Sequence, residues 1–206
     1  TRASAHFFAR DWSAARADYD AADRLEPAGF LVGHHRSIAL VAQAYAGGDV
    51  LGRLREERVA ALALVEDNPV GPWELLVNVV EGLAVLGCQN EAADLYPLVK
   101  RGIDKGRGGS WHFRLWQMVA GIAAAGGEHW DAAQAHFETA LQEAHELPHV
   151  VGQPEVRRWY GRMLLDRDAA GDRDKAQTLL GEATEMYRTI GMPKHLQMVG
   201  EMMAAA

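Results

Sequence analysis

Ala15-Tyr19-Ala22, Ala92-Tyr96-Val99, Ala133-Phe137-Ala140 and Ala176-Leu180-Ala183 repeat one phrase: an alanine, a large apolar residue four on, and a small or apolar residue three further. Steps of four and three keep all three residues on one helical face. The small residues let a neighbouring helix approach, and the large one fills the space between helices. Trp12 and Trp130 stand three residues before the first and third alanines. Recurrence of such a phrase marks an array of helix pairs, in which no unit buries its apolar face alone.

The four alanines lie 77, 41 and 43 residues apart. The long gap is two periods with a degenerate copy near Leu54, inside the helix-forming stretch 50–65 (VLGRLREERVAALALV). The chain therefore reads as all-α: a right-handed α-α superhelix of about five stretched helix pairs. The units run approximately over 1–29, 30–70, 71–109, 110–152 and 153–192, in one domain. Pro193 opens a capping helix over 193–206, whose Leu196, Val199 and Met203 are expected to cover the core edge.

Punctuation agrees with this frame. Asp11 suits an N-cap, and Pro27 and Gly29 stop the helix it opens. Gly47-Gly48, Asn68-Pro69, Gly87 and Gly126-Gly127 mark turns. Pro72 suits a first helical turn, Ser110 a cap for a helix over 111–125, and Gly191 a C-terminal cap. A single helix is expected from Asn90 to about Ile103. Residues 2–9 read as the end of a helix whose start is missing, so the chain, opening on Thr1, reads as a segment of a longer protein.

Charge and cysteine content narrow the functional classes. The net charge is −7 across 206 residues, whereas a phosphate-binding surface carries a basic excess; nucleic acid is not an expected partner. A single cysteine, Cys88, excludes an internal disulfide framework and fits a reducing, cytoplasmic setting. No apolar run approaches the ~18 residues of a membrane span.

These residues resemble tetratricopeptide repeats, whose second helices carry the alanine-aromatic-alanine phrase. Gly121, the Gly126-Gly127 turn, Trp130, Ala133, Phe137, Ala140 and Pro148 fit best. Tyr160-Gly161, Leu164, Ala176, Leu180 and Ala183 follow, and Val79, Leu83, Gly87 and Ala92 fit more loosely. The period exceeds the family's ~34 residues. Stretched units of this kind look like the C-terminal arrays of bacterial multidomain regulators, such as MalT-like and LuxR-type activators and cyclase-fused ATPases. The closing strings Gly171-Asp172-Arg173-Asp174-Lys175-Ala176 and Ile190-Gly191-Met192-Pro193 are similar to the ends of such proteins.

The resemblance implies that first helices line a concave ligand groove. Projecting its frame puts Arg36, Gln43, Glu74, Val77, Glu81, Leu115, Met118, Ile122, Arg158 and Arg162 there. Arg158 and Arg162, one turn apart, can grip one carboxylate of an acidic peptide or pair with acids of the next repeat. The asparagines of the family's carboxylate clamp have no match. Leu115, Met118 and Ile122 read as core or as an apolar binding patch.

Catalytic strings are poor. His145-Glu146-Leu147-Pro148-His149 has the letters of a zinc-protease helix, but a proline there breaks the helix that would aim both imidazoles at one metal. The stretch 102–110 (GIDKGRGGS) lacks the residue order of a phosphate loop. Neither catalysis, metal nor cofactor is expected of this segment. The expected role is a scaffold binding a protein, a peptide or a neighbouring domain; the alternative is an effector-sensing domain controlling an attached ATPase or cyclase. A scaffold requires an open, continuous groove, a sensor a closed pocket with a few convergent polar groups.

Overall fold

The computed structural model describes residues 6, 11–25, 33–64, 70–109, 114–147 and 149–205. Expectations for residues 2–5, 7–10, Pro27, Gly29, Asn68-Pro69, Ser110 to Phe113 and Pro148 lie outside them. The protein is all-α. Among the described residues the helices are α1 (Trp12–Asp23), α2 (His34–Tyr45), α3 (Leu51–Leu64), α4 (Val70–Val85), α5 (Gln89–Ala93) and α6 (Tyr96–Asp104). There follow α7 (Trp116–Gly126), α8 (Trp130–Glu146), α9 (Gly152–Arg167), α10 (Asp172–Ile190) and α11 (Pro193–Ala205). The nearest thing to a strand is an isolated bridge between Gly109 and Leu115.

Local chemistry sets these boundaries. Asp11 Oδ1 accepts the Ala14 N–H at 2.8 Å, capping α1. Gly191 adopts φ 85°, which a side chain would resist, and its N–H and that of Met192 return to the Tyr187 carbonyl, ending α10. The helix expected from Asn90 to Ile103 instead breaks into α5 and α6. Pro97, the second residue of α6, has no N–H for the preceding turn, and its ring crowds that turn. The helix expected from residue 111 begins at Trp116, after Leu115 in extended backbone (ψ 132°).

The repeated phrase faces inward. Ala92, Ala133, Phe137, Ala140, Ala176, Leu180 and Ala183 are all buried, as is Leu54 in the degenerate copy. A glycine sits opposite the large residue in three places. A Cβ on Gly121 would stand 2.9 Å from the Phe137 ring, one on Gly161 2.8 Å from Leu180, and one on Gly82 3.0 Å from Leu54. The glycines let the helices close until the large side chain fills the gap.

Helices α2, α4, α7 and α9 form a row, each touching the next, while α1, α3, α5, α6, α8 and α10 pack against that row. α11 packs on α10. It also turns back to the start of the row: Met198 lies against the cluster of Ile38, Ala39, Val41, Ala42 and Tyr45. Leu196 and Val199 join the terminal core as expected, but Met203 is exposed, because His195, Met198 and Met202 take the inward positions instead.

Candidate functional site

Two features occupy the interior side of the row. The first is a buried polar network joining helices far apart in sequence. Arg158 of α9 donates from Nη2 to Glu155 Oε2 at 2.6 Å and to the Tyr45 hydroxyl of α2 at 2.7 Å. Tyr45 donates in turn to Glu81 Oε1 of α4 at 2.6 Å, and Arg114 binds the other Glu81 oxygen. Tyr187 of α10 donates to Glu155 Oε1, and His195 Nε2 of α11 lies 3.6 Å from the same oxygen. Two carboxylates face two guanidiniums, so the buried charges balance.

This surrounding perturbs every group in it whose shift is resolved. Burial alone would raise the Glu155 carboxyl, but Arg158, His195 and the Tyr187 hydroxyl outweigh it and hold the group at about 2. Burial keeps the His195 imidazole below its usual value, with Glu155 opposing. Burial and the neighbouring carboxylates push the Tyr45 and Tyr187 phenols up.

The second feature is a cleft of about 360 Å³ between the α4–α5 turn, α7, the start of α8 and the second half of α9. Ile122, Phe137 and Met163 supply apolar wall, and Trp130 and Trp159 supply aromatic faces. Arg162, Asp166 and Glu128 bring charge, Gln89 and Asn90 amides. Its edge is tightly constrained: a Cβ on Gly126 would stand 2.5 Å from the backbone oxygen of Gln89. Glu128 holds φ 58°, a left-handed backbone that non-glycine residues seldom adopt.

The residues expected along the groove are distributed between these features and the core. Glu81 and Arg158 belong to the buried network. Gln43, Glu74, Val77, Leu115 and Met118 are buried. Arg36 pairs with Glu57 of α3. Ile122 and Arg162 line the cleft. Arg158 and Arg162, read either as a joint grip on one carboxylate or as partners of the next repeat's acids, are separated: both guanidiniums lie near the Trp159 ring, at 4.6 and 5.5 Å from its centroid, but they serve different places. The Arg158 side chain is 1% exposed and closed in by Tyr45 and Glu155; that of Arg162 is 29% exposed and stands 3.6 Å from Asp166. Each acid lies on the arginine's own helix, not across the next repeat.

Compared with known proteins, the chain matches no family model, no curated protein and no solved structure.

Sequence reasoning missed Trp159, Asp166 and Glu128 as cleft residues. Trp159 was visible as the aromatic between the two arginines, and Glu128 as the acid after Gly126-Gly127. The His-Glu-x-x-His letters do not form one helical face: α8 ends at Glu146, and His149 Nδ1 accepts the Gly152 N–H at 2.9 Å, where α9 begins. No group of three or more His, Cys, Asp or Glu able to hold a metal occurs among the described residues. No helix among them is long and apolar enough to cross a membrane.

Proposed function

We propose that this chain is a non-catalytic regulatory module of tetratricopeptide-like build that recognises a compact ligand in the cleft and passes its occupancy to a neighbouring domain or protein. The observation that carries this reading is the Arg158–Tyr45 hydrogen bond, which ties α9 to α2 across the interior side of the row. An extended peptide needs a continuous groove there. A closed network leaves recognition to the cleft, whose volume is at the small end of the ~300–1,000 Å³ typical of small-molecule sites. An apolar and aromatic wall with a few polar groups at one side is the usual composition of such sites. The balance of sensing over scaffolding thus shifts towards the effector-binding alternative, in a cytoplasmic regulator that carries its output domain elsewhere.

The test is a chemically mixed fragment set screened by saturation-transfer NMR against the chain and against Ala125→Phe, which fills the cleft. Binders to the unaltered chain that are lost in the filled variant, with its helical circular dichroism retained, support the reading. Binders that persist in the variant, or tight binding of extended peptides of eight or more residues, overturn it.

A further inference from the structure

The charges of the cleft are mixed. Arg162 and Asp166 are one helical turn apart, with Nε and Oδ2 separated by 3.6 Å, and Glu128 adds a second carboxylate. The Arg162 and Asp166 side chains are 29% and 53% exposed, so their pair is weak and a ligand can exchange with it. Trp159, 3% exposed, lines the cleft and offers an aromatic face beside the pair, its ring centroid 5.5 Å from the Arg162 guanidinium.

These groups ask for an anion and a cation at once. Arg162 calls for an oxyanion, Asp166 and Glu128 for an ammonium, and Ile122, Met163 and the Trp159 ring for an apolar body. A simple anion would meet two carboxylates, and a simple cation would meet a guanidinium. From this juxtaposition we infer that the cleft binds a compact zwitterion with an apolar side chain, of the class of the free apolar α-amino acids. Such a molecule carries its carboxylate and ammonium on one carbon, a short separation comparable to that of Arg162 and Asp166. The inference rests on the proposed recognition role of the cleft and specifies its ligand.

Isothermal titration calorimetry with leucine, methionine and phenylalanine, alongside N-acetyl-leucine and leucinamide, tests it. One of the three amino acids binds at one site per chain, and loss of either of its charges weakens binding about tenfold or more. Arg162→Gln weakens the zwitterion while leaving leucinamide unaffected; Asp166→Asn weakens the zwitterion while leaving N-acetyl-leucine unaffected. Should N-acetyl-leucine or leucinamide bind as well as leucine, the zwitterion class is overturned while the cleft stands as a recognition site. Should none of the five bind while mixed fragments still bind in the cleft, the class falls in the same way. Failure of the fragments as well overturns both readings.

Discussion

Arg158 and Arg162 are one turn apart on α9, yet replacing each by alanine should have consequences of very different size. Arg158→Ala removes a guanidinium whose side chain is 1% exposed and which donates at 2.6 and 2.7 Å. It leaves Glu155 buried with only Tyr187 and His195 nearby, and Tyr45 loses a donor. Breaking a buried pair from one side costs about 3–5 kcal/mol. In a chain of this length 1 kcal/mol moves the melting temperature by roughly 2–4 °C, so the variant should melt on the order of 10 °C lower. Arg162→Ala removes a partly exposed side chain from an i,i+4 pair, worth about 0.3–0.5 kcal/mol. Urea unfolding followed by circular dichroism at 222 nm measures both. A second comparison separates charge from packing. Glu155→Leu combined with Arg158→Met should recover much of the loss, because an apolar pair of similar volume leaves no unpaired charge there. A cost below about 1 kcal/mol for Arg158→Ala, or equal costs for the two alanine variants, would refute the buried network.

Phe137→Ala should cost about 3–5 kcal/mol in the same assay, since the ring fills the space over Gly121. Gly126→Ala should cost about 1–3 kcal/mol, because its Cβ meets the Gln89 backbone oxygen, whereas Gly181→Ala, facing open space within α10, should stabilise by up to about 1 kcal/mol; similar effects at both positions would contradict the packing. Stability should fall on acidification. His195 is held below 6.5, so the unfolded chain takes up its proton first and stability declines from that pH downward. Glu155 is lowered from 4.5 to about 2, so its contribution, roughly 3 kcal/mol, is present above 4.5 and is lost as the pH falls through 2. Tyr45 and Tyr187 are raised well above 10, so stability should also fall in alkali above that pH. Urea midpoints at a series of pH values check this, and a midpoint that rises between pH 7 and 3 would count against it.

The helical class and the buried faces were legible because they are periodic. Ala133, Phe137 and Ala140 announce their own burial through spacing, and Asp11 and Gly191 announce helix ends through local backbone chemistry. The break at Pro97 was missed, because the apolar spacing runs on across it, although a proline there carries the signal. The site was far less visible. Spacing puts Arg158 and Arg162 on one helical face but says nothing of what covers each of them. That depends on α11 folding back so that His195 and Met198 reach α2, and no periodic signal in 193–205 marks such a return. Tyr45 and Arg158 are 113 residues apart, and each looks ordinary in its own neighbourhood. The cleft likewise assembles Gln89, Glu128 and Asp166 from three different units.

The contact between Tyr45 and Arg158 also bears on how many units such an array can hold. An open array is nearly one-dimensional: each unit rests on its neighbours, ends fray first, and units are gained or lost with little penalty. Here α2 and α9 are fastened to each other, and α11 is laid over the join. Fraying at either end then breaks the same bonds, so the chain should unfold in one step, and its long-range closure should make folding slow for a helical protein. Adding or deleting one pair would change the gap that Tyr45, Glu81 and Arg158 span and leave their charges unmatched. Closure turns an extensible stack into an assembly of set length.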